Sequence, residues 1–156
     1  MNRLTPKKLR EFNRHLFTLN TFDDFLVTEA HFTTAFRTDF TGQLPKEEDS
    51  EETASAAPCV SWAVLRPIAL ELVRGKEAPR SFSIVMKLPE ERASALLAAA
   101  GADPEDVSLY LNIRYANEEM TVTSGTTQKT FSLDKTGEKV WDKQAEAFLS
   151  RLGLIE

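Results

Sequence analysis

The sequence predicts an α+β fold, in which a mainly antiparallel sheet of about six strands is packed by about four helices. Two observations carry this prediction. Apolar and polar residues alternate with a period of two along several short segments that follow one another directly in the chain, as antiparallel strands do. Other segments place their apolar residues at helical spacing. The predicted order is α-ββ-α-β-α-βββ-α, and the 156 residues fit a single domain, 1–156.

The composition argues against several functional classes. With 42% hydrophobic and 28% charged residues and a net charge of −5, the chain is typical of a soluble protein and lacks the basic excess of a general nucleic-acid binder. The single cysteine, Cys59, excludes an intramolecular disulfide and a cysteine-based zinc cluster, and we expect it to be half-buried. No apolar run marks a signal peptide or reaches the ~20 residues of a membrane span, so we expect a cytoplasmic protein.

The first helix is predicted over residues 5–18. Thr5 can cap it, and Pro6 suits the first helical position because proline has no N–H to leave unpaired. One face of this helix is apolar (Leu9, Phe12, Leu16) and another is basic (Lys7, Arg10, Arg14). The basic face is either a site for an anionic partner or membrane surface, or an ordinary solvated face, which we favour.

A hairpin is predicted over 21–42 and an acidic variable loop over 43–58. Glu29 and His31 point to the same side of the first hairpin strand, and Asp39 can lie across from them. Such a trio can hold a metal or act as an acid/base pair. We favour solvent-facing strand residues instead, because a metal site needs three or four ligands and alternation alone places polar residues there.

The second helix is predicted over 61–74, capped by Ser61. Pro67 falls inside it, so either the regular helix starts nearer Arg66 or the helix kinks. Trp62 and Arg66 lie four residues apart and share a face, which suits an anionic ligand. The alternative, which we favour, is an arginine that packs along a core tryptophan.

A strand at 81–88 and a helix from Pro89 to Gly101 precede a three-strand meander at 107–133. The inner face of this meander is apolar, whereas its outer face carries Tyr110, Asn112 and Arg114. If no helix covers the outer face, it is a flat hydrogen-bonding surface for a partner; otherwise it is simply solvated. We interpret the glycine-containing segment 124–129 as a turn or bulge. Asp134 or Thr136 then caps a last helix that runs to about Leu152.

Three stretches resemble a known family: TFDDFLVTEAHFTT, SWAVLRPIALELVRGKEAPRSF, and LYLNIRY with the later SGTTQKTFSLDK and WD. The family is an uncharacterised one from gut Firmicutes (clostridia), catalogued as a domain of unknown function. The resemblance covers most of the chain outside the acidic loop. It implies a bacterial, cytoplasmic, single-domain protein, and it transfers no activity, cofactor or catalytic residue.

The functional prediction follows from the absence of any catalytic, cofactor or metal-binding motif in the sequence. We predict a non-enzymatic interaction or ligand-binding module whose partner is another protein or a second copy of itself. The alternative is a small enzyme or anionic small-molecule binder with a pocket near Trp62 and Arg66. The candidate binding residues are Trp62, Arg66, Tyr110, Asn112 and Arg114.

Overall fold

The computed structural model describes residues 1–43, 59–75, 78–105, 107–129 and 133–155. Over these ranges the chain has the predicted α+β fold, with four helices and seven strands in one antiparallel sheet. The strands are β1 (Asn2–Leu4), β2 (Leu26–Thr33), β3 (Arg37–Thr41), β4 (Val60–Ser61), β5 (Ser81–Lys87), β6 (Val107–Ala116) and β7 (Glu119–Gln128). The helices are α1 (Leu9–Asn13), which continues as a π-helical segment, π1 (Arg14–Thr18), then α2 (Trp62–Val73), α3 (Glu90–Ala99) and α4 (Thr136–Arg151).

The sheet is open and runs in the order β1-β7-β6-β5-β2-β3, with the short β4 also paired to β2. Each neighbouring pair is antiparallel. β6 and β7 form the longest hairpin, and its two-residue turn places Asn117 and Glu118 at φ angles of 53° and 64°. Positive φ at both turn positions matches the twist of the flanking strands, and asparagine tolerates it well.

The two faces of the sheet have different surroundings. The inner face carries the apolar residues of the alternating pattern, and the buried residues of all four described helices join it in one hydrophobic cluster. In β6 the inner residues Leu109, Leu111 and Ile113 are each no more than 1% exposed. Among the described helices none packs on the outer face, whose residues are half-buried or exposed. The helices therefore cover one side of the sheet only.

The edge beside β7 differs from the prediction. The neighbour of β7 is β1, where Asn2 and Leu4 pair with Ser124 and Val122, rather than a third strand of the meander. The predicted third strand includes Thr130 and Phe131, which lie outside the described residues. Leu133, which alternation placed on the inner face, is 84% exposed. Alternation over so few residues does not determine which face a single side chain such as Leu133 takes.

The start of the first helix is also later than predicted. Residues 2–4 extend the sheet, and the helix begins at Leu9 instead of near Pro6. The backbone N–H of Lys7 donates to the carbonyl of Leu154 at 2.9 Å, which ties this connection to the C-terminal segment. Leu154 and Ile155 are 3% and 5% exposed, so this C-terminal segment belongs to the chain's own core. Long-range pairing therefore overrides the local helix signals.

Two predicted helix boundaries can be compared directly. α2 begins at Trp62, and Pro67 lies within it. Proline removes the N–H that would bind the carbonyl of Ala63, and both residues are exposed, so water can satisfy that carbonyl. At α4, Oδ1 of Asp134 accepts hydrogen bonds from the backbone N–H and the hydroxyl of Thr136, at 2.9 and 2.6 Å. The N-cap residue is Lys135, and Asp134, one residue before it, supplies the side chain that caps the first N–H of the helix.

Candidate functional site

The predicted pair Trp62 and Arg66 lies in the interior of the helical layer. Trp62 is completely buried, and its Nε1 donates to the carbonyl of Leu16 at 2.7 Å. Arg66 binds Asp23 through two parallel hydrogen bonds, Nε to Oδ1 at 2.8 Å and Nη2 to Oδ2 at 3.2 Å. Its Nη1 also donates to the carbonyl of Thr18 at 3.3 Å. The two side chains share a face as predicted, but their polar atoms already have protein partners.

These contacts have a local cause in π1. The helical backbone stops at Thr18 because Leu19 is extended, with φ −91° and ψ 172°. The last carbonyls of a helix have no intrahelical donor, so they need partners from elsewhere. Trp62 and Arg66 supply donors to two of them, those of Leu16 and Thr18. The pair therefore caps π1 from the neighbouring helix.

The other three predicted residues, Tyr110, Asn112 and Arg114, lie together on the outer face of β6. Their cross-strand partners are Gly125, Thr123 and Thr121 of β7. On the β5 side, Tyr110 faces Lys87 and Asn112 faces Val85. Tyr110 and Asn112 are half-buried, whereas Arg114 is exposed. The predicted outer surface of the meander is thus present and remains open in the described structure.

A hollow of about 540 Å³ joins this surface to the first turn of α4, because Tyr110 and Asn112 of the outer face line it together with Glu138. Tyr110, Asn112 and Gly125 are among the residues that line it. Around them the lining continues with Glu29, Val85, Thr126, Thr127, Gln128, Lys135, Glu138 and Met1. Arg114 does not line it. A pocket of this size is within the range that holds a small ligand or a side chain of a partner.

Gly125 gives the hollow its shape. A Cβ atom at this position would lie 3.2 Å from Nδ2 of Asn112, closer than most real contacts, whereas glycine leaves that space free. The sequence predicts a turn or bulge over segment 124–129, but residues 124–128 lie inside β7. Glycine inside a strand marks places where another group approaches the backbone closely. The sequence showed this glycine, but only the strand pairing places it opposite Tyr110.

The position of Tyr110 is fixed from behind the sheet. Its carbonyl accepts a hydrogen bond from Nε1 of Trp141 in α4 at 2.7 Å. One residue further along α4, Asp142 accepts a hydrogen bond from the buried hydroxyl of Ser124 at 2.5 Å. Ser124 immediately precedes Gly125 in β7. Trp141 and Asp142, in one turn of α4, therefore hold β6 and β7 where these two strands line the hollow.

The predicted trio of Glu29, His31 and Asp39 does come together on the outer face. Nδ1 of His31 lies 2.8 Å from Oδ1 of Asp39, and its Nε2 lies 3.6 Å from Glu29. Arg37 donates to the same Asp39 oxygen at 2.9 Å. The hydrogen bond from Arg37, and to a smaller extent the one with His31, lowers the pKa of Asp39 below its ordinary value. Within the described residues, no group of three or more His, Cys, Asp or Glu is arranged to hold a metal ion.

Comparison with known proteins bears on the family rather than on the activity. A family model described as a family of unknown function, DUF5721, matches residues 15–154. The chain belongs to this family. No curated protein and no solved structure matches the chain. In the part of this DUF5721 member that the structure describes, no helix is long and apolar enough to cross a membrane.

Proposed function

We propose that this DUF5721 protein is a non-enzymatic binding module whose binding surface is the outer face of the sheet. The observation that carries the proposal is that no described helix covers this face, although it contains a hollow of about 540 Å³. An antiparallel sheet needs only one face packed on a core, so the second face is free to bind. The resemblance to a gut Firmicutes family and the single cysteine support a bacterial cytoplasm as its location.

The chemistry of the hollow suits a segment of a partner protein. Its lining offers an aromatic ring, an amide and an aliphatic side chain from Tyr110, Asn112 and Val85. Its lining carries both signs of charge, from Glu29 and from the ion pair of Lys135 with Glu138 at 3.9 Å. An apolar side chain can enter the centre while the amide and hydroxyl groups around it hydrogen-bond the partner's backbone. A mixture of charges without a basic excess does not favour nucleic acid.

The alternative site near Trp62 and Arg66 receives less support. A ligand would have to displace the bidentate contact of Arg66 with Asp23, and it could not reach the buried ring of Trp62. Removing one partner of such a pair leaves the other uncompensated, which costs stability. The proposal of a binding module would fail if a broad hydrolase, phosphatase and transferase screen found a turnover that Arg66→Gln abolished while the fold was retained.

Site-specific photocrosslinking tests the proposed surface. A photoreactive benzoylphenylalanine replaces Thr123, beside Asn112 on the outer face, and the protein is expressed in a gut Firmicutes host. The matched control carries the same group at Val64, which is 60% exposed on α2. We expect a discrete protein adduct from position 123 and none from position 64. Adding Gly125→Val, which narrows the hollow, should remove the adduct.

Two results would contradict the proposal. Equal crosslinking from both positions would mean that the outer face has no special role. An adduct at position 123 that persists in the Gly125→Val variant would mean that the hollow is not used. Valine suits a strand, and the φ of Gly125 is not in the left-handed region, so this variant should fold. Its circular dichroism spectrum and melting temperature provide that check.

A further inference from the structure

A second cavity lies in the helical layer, away from the outer face of the sheet. Its volume is about 460 Å³, and it opens between α1 with π1, α2, and the inner side of β5. One wall comes from α1 and π1, through Arg10, Glu11, Asn13, Arg14, Phe17 and Thr18. The opposite wall comes from Leu70, Val73 and Arg74 of α2, from Pro79, and from Phe82 of β5. Neither the predicted Trp62 and Arg66 site nor the proposed partner surface includes this cavity.

The cavity has an apolar floor. Phe17 and Phe82 are 4% and 3% exposed, and their rings meet edge to face with centroids 5.4 Å apart. Leu70 and Val73 are half-buried beside them. The apolar surface that water still reaches, chiefly that of Leu70 and Val73, favours an apolar ligand group, because binding removes that surface from water.

The rim of the cavity is positively charged. Arg10 and Arg14 are exposed, and neither side chain makes a hydrogen bond or ion pair with any described residue. Arg74 is paired with Glu71 at 3.2 Å, and Glu11 is the only acid among the described lining residues. Two unpaired guanidinium groups above an apolar floor are complementary to an anion attached to an apolar body.

The π-helical backbone presents these groups on one side. The N–H of Leu19 donates to the carbonyl of Arg14 at 2.9 Å, five residues earlier, which widens the helix at this point. Arg10, Asn13, Arg14 and Phe17 all line the cavity from this one helix. π-Helical segments are rare and frequently occur at functional sites. Trp62 and Arg66 hold the end of the segment in place by capping it.

We propose that this cavity binds a small carboxylate ligand with an apolar body, such as a medium-chain fatty acid. Arg10 and Arg14 bind the carboxylate, and the chain lies along Phe17, Leu70, Val73 and Phe82. This assignment is independent of the partner surface on the sheet, because the two sites share no residue.

NMR titration of the ¹⁵N-labelled protein with sodium octanoate tests the assignment. We expect saturable shifts at the amides of residues 10–18 and 70–74, with an affinity that falls as salt screens the exposed arginines. Octan-1-ol tests the need for the charge, and inorganic phosphate tests the need for the apolar chain. We expect both to bind at least about tenfold more weakly than octanoate, because each lacks one of the two contributions.

Variants identify the residues responsible. The double change Arg10→Gln and Arg14→Gln should weaken octanoate binding about tenfold, because it removes both charged donors. Arg92→Gln removes an exposed arginine of α3, 57% exposed, and should leave the affinity unchanged. Leu70→Trp fills the cavity while keeping both arginines, and it should abolish the shifts.

The proposal is overturned if the double variant binds octanoate as tightly as the unchanged protein. It is equally overturned if octan-1-ol matches octanoate, if the shifts map to the outer face of the sheet, or if octanoate causes no shifts. Vesicles of phosphatidylglycerol form the last arm. Binding to these vesicles without binding of dissolved octanoate would assign the arginines to a membrane surface and overturn the cavity proposal.

Discussion

Nε1 of Trp62 donates a hydrogen bond to the carbonyl of Leu16 across the helical layer, at 2.7 Å. Both residues are completely buried, so water cannot replace either partner. The bond connects α2 to the π-helical segment that forms one wall of the cavity beneath Arg14. Trp62 and Arg66, which suggested a ligand site in the sequence, thus hold the wall of a different cavity in place.

Trp62→Phe tests this contact. The smaller ring keeps most of the apolar contacts but leaves the Leu16 carbonyl without a donor, so the free energy of unfolding should fall by about 1–3 kcal/mol. Denaturant unfolding measures the change. The control is Val64→Ala on the exposed side of the same helix, which should stay within about 0.5 kcal/mol of the unchanged protein. A loss at position 62 no larger than that of the control would refute a stabilising bond.

The assignment of the two sheet faces gives a second prediction. Leu111→Ala should lower the free energy of unfolding by about 2–5 kcal/mol, since the side chain is buried on the inner face. Thr121→Ala on the outer face should cost well under about 1 kcal/mol. Both are measured by denaturant melts, and equal losses would show that the faces are wrongly assigned. We predict the same loss for Phe131→Ala as for Leu111→Ala, although Phe131 lies outside the described residues.

The buried side chain of Asn13 gives a third prediction, which concerns stability. Its Oδ1 is buried and has no hydrogen-bond partner among the described residues. An unsatisfied buried acceptor costs about 1–3 kcal/mol, so Asn13→Leu should leave stability unchanged or raise it by about 1 kcal/mol. A melt of the variant measures this. A loss above about 1 kcal/mol would mean that this oxygen is hydrogen-bonded in solution.

The cap of α4 gives a prediction about pH. Hydrogen bonds from the Thr136 hydroxyl and backbone N–H lower the pKa of Asp134 below its ordinary value of 3.8. Because the pKa of Asp134 is lower in the folded protein, its cap stabilises the fold fully at a pH above the ordinary pKa. This stabilisation is lost as the pH falls through the pKa of the folded state. The difference in melting temperature between the unchanged protein and Asp134→Ala should therefore shrink between about pH 6 and about pH 2.

The control for this experiment is an aspartate that does not cap a helix. Asp24 has an 87% exposed side chain and only a distant ion pair, 4.0 Å from Arg92. Asp24→Ala should change the melting temperature little. Asp134→Asn should retain more of the stability than Asp134→Ala at neutral pH, because its amide oxygen still accepts from Thr136. A constant difference for Asp134→Ala down to the lowest pH would contradict the role of the ionised cap.

Sequence reasoning succeeded where a local pattern coincides with a tertiary environment. The alternation of β6 identified both its buried residues and the outward Tyr110 and Asn112, because a strand turns successive side chains to opposite faces. The cap at Asp134 was predictable for a similar reason, since it acts on a residue two positions away. The location of the hollow was not, because it depends on the pairing of Tyr110 with Gly125 in another strand.

By itself, the sequence determined the α+β class, the inner and outer faces of the long hairpin, and the shared face of Trp62 and Arg66. Only the tertiary structure decided that β1 takes the edge beside β7, and that Trp62 and Arg66 cap π1. It also brought Arg10 and Arg14 over Phe82, whose position in the chain lies some 70 residues away. The physical reason is range: periodicity and capping act within a few residues, whereas edges, cavities and side-chain partners arise from contacts between distant segments.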